Sequence, residues 1–183
     1  MDGISILEAL GASAHSMVEP APSDAYKAAM RRFAGGVTVV TARSPQGEPV
    51  GMTATAVCSL SADPPALLVC ANRSGSFASQ ISMAAPFSVH VLGADQLEVA
   101  RICAGMSGKQ GADRFAGPHW ALNEAGVPVL PEALARFDCV ATSLFPNAPH
   151  LLAIGHVGAV HLGSPTGAAL VYIGGAFVSV AGN

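Results

Sequence analysis

Hydroxyl, amide and guanidinium side chains gather at two neighbouring points of this sequence, each beside an apolar, strand-like run. They are Thr53, Thr55 and Ser59 at the first point, and Asn72, Arg73, Ser74 and Ser76 at the second. Together with the unpaired backbone N–H groups at a helix start, such donors suit a phosphate group. Residues 49–76 therefore indicate a site for a large, flat, phosphate-bearing ligand. Two ordinary polar turns with a helix cap explain the same residues equally well.

Other common catalytic patterns are missing from the sequence. It has no G-x-S-x-G elbow, no H-E-x-x-H pair, no Walker loop and no G-x-G-x-x-G after a first strand. The six histidines are scattered and the four cysteines form no C-x-x-C pair. We therefore expect no metal site, and four reduced, mostly buried thiols.

Composition limits the class of protein and its partners. Charged residues make up only 11% of the 183 residues and apolar residues 51%, so we expect part of the surface to be buried in a homodimer. A net charge of −3 gives no basic stripe for nucleic acid. The sequence has no apolar run of about 20 residues for a membrane helix and no secretory signal, so a cytoplasmic location is expected.

The pattern of apolar residues predicts a chain dominated by strands. Residues 1–22 are expected to form an N-terminal arm that could be flexible, and residues 23–183 one domain. Helical spacing predicts a helix over residues 23–33 and two more from Ser76 and Asp95. Alternating and β-branched runs predict strands at residues 37–42, 49–57, 66–71, 87–92, 133–146, 151–163 and 168–180. This order favours a mainly β fold, a small closed or nearly closed barrel with about three peripheral helices.

Five motifs, in order along nearly the whole chain, carry a resemblance to a known family. They are FAGGVTVVTA, GMTATAVCSLSADPPALLVCANRSGS, DRF, HLLAIGHV and LVYIGGAF. In both sequence and spacing they resemble the short-chain flavin reductases, which supply reduced flavin to two-component monooxygenases. The resemblance implies an FMN-binding, Greek-key split β-barrel that forms a homodimer.

The resemblance also implies roles for individual residues. The segment that lines the flavin ring corresponds to Met52, Thr53, Ala54 and Thr55, with Ser59 following. The turn that holds the ribityl chain and phosphate corresponds to Asn72, Arg73 and Ser74, followed by Ser76 and Phe77. Arg114 and Phe115 of the DRF motif, and Tyr172 of the last motif, are expected near the flavin. His150 is the expected catalytic residue, positioned near the nicotinamide; the alternative is a plain turn residue.

Two departures from the family pattern keep other functions open. Thr55 stands where many members carry Asn, and Pro149 replaces the acid that usually precedes the histidine. The implied activity is hydride transfer from NADH or NADPH to FMN or FAD, in support of a partner oxygenase. The alternatives are a flavin-binding sensor without turnover, or a flavoprotein that reduces another bound acceptor such as a corrin, a quinone or a metal complex.

Overall fold

The computed structural model describes residues 19–163 and 167–181. Most of the predicted N-terminal arm, residues 1–18, lies outside the described residues. The chain divides into two compact units, Met1–Phe33 and Ala34–Asn183. In the first unit the predicted helix is confirmed as α1 at Ser23–Met30, and none of its residues is buried.

The second unit holds the strands and two further α-helices. The strands are β1 Gly35–Gly36, β2 Thr38–Arg43, β3 Pro49–Ala54, β4 Val57–Ala62, β5 Pro65–Asn72, β6 Pro86–Val91, β7 Ala121–Leu122, β8 Pro128–Val129, β9 Ala135–Asn147, β10 His150–Leu162, β11 Ala169–Ile173 and β12 Ala176–Val180. The helices are α2 Ser76–Gln80 and α3 Leu97–Cys103, and short 3-10 helices cover Ala94–Gln96 and Gly111–Phe115. The described chain is therefore mainly β with three α-helices, as predicted.

One seven-stranded sheet dominates this unit, in the order β3-β2-β6-β9-β10-β5-β4. Every neighbouring pair in it is antiparallel. Strands β3 and β4 are its two edges, and in the described part of the chain no ladder joins them, so hydrogen bonds do not close a barrel. Strands β1, β11 and β12 form a separate three-stranded sheet.

Strand β4 differs from the sequence-based expectation of a polar turn. Its residues pair with β5, with a register shift between Ser59 and Ser61. An edge strand tolerates serines because much of it remains in water, and here only Val57 and Ser61 are half-buried. The last predicted run also differs, since the glycine turn at Gly174 and Gly175, with φ of 65° and 87°, splits it into β11 and β12.

The core lies on both faces of the seven-stranded sheet. Val39 and Val40 are neighbours in β2 and belong to different buried clusters, since successive strand residues point to opposite faces. Phe77 of α2 joins the cluster of Val40, whereas Ala100 of α3 joins the cluster of Val39. Helices α2 and α3 thus pack on opposite faces, and both reach edge strand β3.

Candidate functional site

A cavity of about 610 Å³ lies along edge strand β3. It unites residues from both predicted groups with residues far from them in sequence. Nine of the predicted site residues line it: Met52, Thr53, Ala54, Thr55, Asn72, Ser74, Ser76, Arg114 and His150. The cavity therefore brings together the segment predicted to line the flavin ring, the predicted phosphate turn and the expected catalytic histidine.

Two hydroxyls join the flanking helices to strand β3. The Ser76 hydroxyl, in the first turn of α2, donates to the Gly51 carbonyl oxygen at 3.1 Å. The Thr53 hydroxyl donates to the Ala100 carbonyl oxygen in α3 at 2.7 Å. Ser76 is the first residue of α2 and follows the N-cap position, so its side chain fixes the cavity wall instead of capping the helix.

The backbone of β3 leaves donors free on the cavity side. In an antiparallel strand the N–H and C=O of one residue point to the same side, and the side alternates with each residue. The Gly51 carbonyl bonds Ser76, whereas the Ala54 carbonyl accepts from the Thr38 hydroxyl of β2 at 2.7 Å. The Thr53 N–H therefore points away from β2, as the N–H and C=O of Gly51 do.

Gly51 is required by close packing behind the strand. A Cβ at this position would lie 2.8 Å from the Val40 carbonyl oxygen and 3.1 Å from Cζ of Phe115. Phe115 is half-buried, and its ring centroid lies 4.9 Å from that of Trp120. Phe115 therefore supports the backbone of the cavity wall from behind and does not line the cavity itself.

The predicted phosphate turn is a compact loop that is held by hydrogen bonds between its own residues. The Asn72 side-chain oxygen accepts from the Ser74 backbone N–H at 3.0 Å and from the Ser74 hydroxyl at 2.9 Å. This arrangement is an Asx turn. The Gly75 N–H donates to the Asn72 carbonyl at 2.9 Å, which closes the loop.

His150 is placed beside this turn by the β5–β10 ladder. It is the first residue of β10 and pairs directly with Asn72. The Arg73 backbone N–H donates to the Pro149 carbonyl at 2.9 Å, so the turn before His150 is fixed although it lacks the usual acid. The Arg73 side chain is exposed and does not line the cavity.

The charged side chains in the described lining of the cavity are of one sign, positive. In the part of the chain that the structure describes, no carboxylate lines it, and Arg114 is its only lysine or arginine. Arg114 is half-buried in the short helix Gly111–Phe115, and its Nε donates to the Lys109 carbonyl at 3.2 Å. Hydroxyls, backbone N–H groups and one guanidinium form a donor set that fits an anionic ligand such as a flavin phosphate.

Several lining residues were not predicted from the sequence. They are Gly51, Ala56, Cys70, Gly75, Cys103 and Ala104. Burial raises the pKa of the Cys103 thiol to about 12, although the charge of Arg114 acts in the opposite direction. Cys103 thus contributes a neutral, apolar contact. Gly51, Ala56, Cys70 and Gly75 lie inside the stretch 49–76, whereas Cys103 and Ala104 reach the cavity only through the packing of α3.

Three further predicted residues lie outside the cavity wall. Ser59 is exposed on edge strand β4. Phe77 is completely buried, with its ring 5.9 Å from that of Phe87 in an edge-to-face contact. Tyr172 is half-buried in the three-stranded sheet, 5.1 Å from the Phe177 ring. Phe77 therefore packs in the core, and neither Ser59 nor Tyr172 lines the cavity.

Comparison with known proteins identifies the family. The family described as flavin reductase like domain matches residues 30–181. The chain belongs to this family. It is 37% identical over 155 residues to FMN reductase (NADH) SmoA of Agrobacterium fabrum, a match that covers 85% of this chain and 84% of that protein.

Solved structures agree with this flavin reductase assignment. BorF, the flavin reductase component of a bacterial two-component tryptophan halogenase, gives a TM-score of 0.75 at 31% identity, covering 88% of this chain and 100% of BorF. SgcE6, an NADH:FAD oxidoreductase of Streptomyces globisporus solved with NAD and FAD fragments, gives a TM-score of 0.78 at 29% identity. The match covers 91% of this chain and 98% of SgcE6.

The described residues provide neither a cluster for a metal nor a helix for a bilayer. No group of three or more His, Cys, Asp or Glu side chains among them is arranged to hold a metal ion. None of the helices in the described ranges is long and apolar enough to cross a membrane.

Proposed function

We propose that this flavin reductase family member is an NADH:flavin oxidoreductase that transfers a hydride from NADH to FMN or FAD. The observation that carries the proposal is the single carboxylate-free cavity, which combines nine family-predicted residues from four separate segments of the chain. The names of its relatives support NADH as the hydride donor and FMN or FAD as the acceptor.

The cavity supports one orientation of the flavin. The ring would lie along β3, where the Thr53 N–H, free of the β2 ladder, can donate to the polar edge of the ring. Donors aimed at that edge favour the negative charge that arrives with the hydride. The phosphate would lie at the loop of Asn72, Ser74 and Ser76, which lines the same cavity.

The protein's own task is positioning, since bound flavin itself supplies the electron-accepting chemistry. Stacked rings must approach to about 3–3.5 Å for the transfer. His150 lines the cavity beside the phosphate loop, and the hydrogen bond between Arg73 N–H and the Pro149 carbonyl holds the turn before it. We assign His150 to orienting the nicotinamide over the ring, which requires no nucleophile.

A homodimeric split barrel is part of the same proposal. Strands β9 and β10 expose large apolar side chains, among them Phe145 at 53% and Leu162 at 82%. Exposed apolar side chains that gather on a surface are typical of a subunit interface, and this hairpin supplies part of such a surface. The low charged fraction of 11% supports the same assignment. Because relatives serve two-component systems, a partner oxygenase is the proposed consumer of reduced flavin.

The test is oxidation of NADH, followed at 340 nm, with FMN, with FAD and without flavin. We expect turnover only when flavin is present. A protein that binds flavin but does not bleach it with NADH under anaerobic conditions would instead be a sensor module. If neither NADH nor NADPH supports turnover with either flavin, the proposed activity is wrong.

A further inference from the structure

Gly35, the first residue of strand β1, lies against Thr55 in the wall of the cavity along β3 but does not line the cavity itself. A Cβ added at Gly35 would lie 2.9 Å from Cβ of Thr55, 3.4 Å from its Cγ2 and 3.6 Å from its carbonyl oxygen. Non-bonded carbon atoms pack at about 3.5–4.0 Å, so the added carbon would overlap with Thr55. Only glycine therefore lets the backbone of β1 come this close to Thr55.

The backbone on either side of Thr55 is held by hydrogen bonds. The Ala54 carbonyl accepts from the Thr38 hydroxyl at 2.7 Å. The Ala56 carbonyl accepts from the Cys70 N–H at 2.9 Å. Thr55 thus lies in a short bend between β3 and β4 whose two ends are fixed.

Strand β1 is fixed as well, by the three-stranded sheet. Gly35 pairs with Tyr172 of β11. Directly after β1, the Val37 N–H donates to the Leu170 carbonyl at 2.9 Å. These bonds hold Gly35 against Thr55, so the three-stranded sheet supports the cavity wall at this point.

The contact with Gly35 decides which side of Thr55 remains for a ligand. The Thr55 atoms nearest to the Cβ position of Gly35 are its Cβ, its Cγ2 methyl and its carbonyl oxygen. Substituents on Cβ are staggered, so a methyl group that packs on Gly35 leaves the hydroxyl on another side. Thr55 is exposed and lines the cavity, where its hydroxyl can donate or accept a hydrogen bond.

We propose that Gly35 is a positioning residue for flavin binding. It holds Thr55 in the rotamer whose hydroxyl bonds the polar edge of the flavin ring. The inference rests on the proposed flavin oxidoreductase activity and adds to it a residue outside the cavity, on a different sheet from the strand that carries the site.

The first test compares the two adjacent glycines of β1. Gly35→Ala places a methyl group on Thr55, whereas a Cβ at Gly36 would meet no atom within 4 Å, so Gly36→Ala is the matched control. The probe is riboflavin, which has the ring but no phosphate. We expect Gly35→Ala to raise the Kd for riboflavin by about fivefold or more, the change for one neutral hydrogen bond, and Gly36→Ala to change it by less than about twofold. Equal effects of the two substitutions overturn the proposal.

The second test is a double-mutant cycle with Thr55→Val, which removes the hydroxyl and keeps the shape of the side chain. Thr55→Val is expected to raise the Kd for riboflavin by about fivefold. Because Gly35 acts through that hydroxyl, adding Gly35→Ala to Thr55→Val is expected to raise the Kd by no more than about twofold further. If the double variant loses the full product of the two single effects, Gly35 acts independently of the hydroxyl and the proposal is wrong.

The outcomes separate this proposal from the activity on which it rests. If the unmodified protein binds no flavin, or does not oxidise NADH in its presence, the proposed function fails. Normal binding and turnover with an unchanged Kd in Gly35→Ala overturn the role of Gly35 alone.

Circular dichroism establishes that each variant is folded. If Gly35→Ala does not fold, Thr55→Ser takes its place, since it keeps the hydroxyl but removes the methyl group that packs on Gly35. The released hydroxyl can then occupy three staggered positions, so the Kd for riboflavin is expected to rise by about two- to threefold. An unchanged Kd in Thr55→Ser overturns the proposal.

Discussion

Thr53 connects helix α3 to strand β3 at the proposed flavin cavity, and removal of its hydroxyl tests whether this connection shapes the site. Its Oγ1 donates to the Ala100 carbonyl at 2.7 Å. The Ala104 N–H donates to the same carbonyl at 2.9 Å, so that oxygen keeps a partner in Thr53→Val. The substitution therefore removes one hydrogen bond and leaves no acceptor unpaired.

The expected magnitudes follow from that single bond. A neutral hydrogen bond of this kind contributes about 1 kcal/mol to the free energy of unfolding. In a domain of this size the loss lowers Tm by about 2–4 °C. The C-terminal end of α3, at Cys103 and Ala104, lines the cavity. If the entire bond energy serves to hold that wall in place, the Kd for flavin rises by at most about fivefold.

Thr41→Val is the matched control. The Thr41 hydroxyl donates to the Pro128 carbonyl at 2.6 Å, and Thr41 is completely buried and outside the cavity. Its stability loss is at least as large, because the Pro128 oxygen loses a partner in a buried position. We expect thermal unfolding to show losses in both variants, and FMN titration to show weaker binding only in Thr53→Val. Equal loss of FMN affinity in both variants, or no loss in Thr53→Val, would refute the reasoning.

One further substitution and one change of pH give two more testable predictions. Arg114→Gln is expected to raise the Kd for FMN by about tenfold or more, since Arg114 lines the cavity and a charge-assisted hydrogen bond contributes about 1.5–3 kcal/mol. Arg73→Gln, an exposed control outside the cavity, should change this Kd by less than about twofold, and similar effects of the two substitutions would contradict the assignment. Burial lowers the pKa of His90 from 6.5 to about 4, so the unfolded chain binds a proton at that residue more readily, and stability should fall as the pH drops from 6.5 towards 4. This residue should make the free energy of unfolding, measured with urea, about 2 kcal/mol smaller at pH 5 than at pH 7. The difference should be absent in His90→Asn. Equal free energies of unfolding at the two pH values in the unmodified protein would contradict the prediction.

The local part of the site could be predicted from the sequence. Strands β3 and β5, which carry Met52 and Asn72, follow from short-range patterns, and both residues line the cavity. The partners of the side-chain hydrogen bonds could not be predicted from these patterns. The Ser76 hydroxyl, which looked free for a cap or a phosphate, bonds the Gly51 carbonyl 25 residues away. Only the packing of α2 on the sheet sets that contact.

Non-local packing explains the residues that sequence reasoning did not find. Cys103 and Ala104 line the cavity because α3 packs on the face of the sheet opposite to α2. Phe77 follows the predicted phosphate turn directly in sequence, yet the first turn of α2 directs it into the core. The strand β4 was missed because exposed serines at an edge resemble a turn, and only pairing with β5 distinguishes the two.

The edge position of β3 connects the fold to the proposed function. An unpaired edge of a sheet offers a row of backbone donors and acceptors, which proteins must cover or block. Here Ser76 from α2 bonds one outward carbonyl of that edge, and Thr53 bonds α3, so the two helices cover the strand from opposite faces and leave a cavity between them. A flavin that accepts from the Thr53 N–H completes the coverage. Flavin should therefore stabilise the protein by about 2.7 kcal/mol at a concentration one hundred times its Kd, and Thr53→Val should need more flavin to reach the same gain.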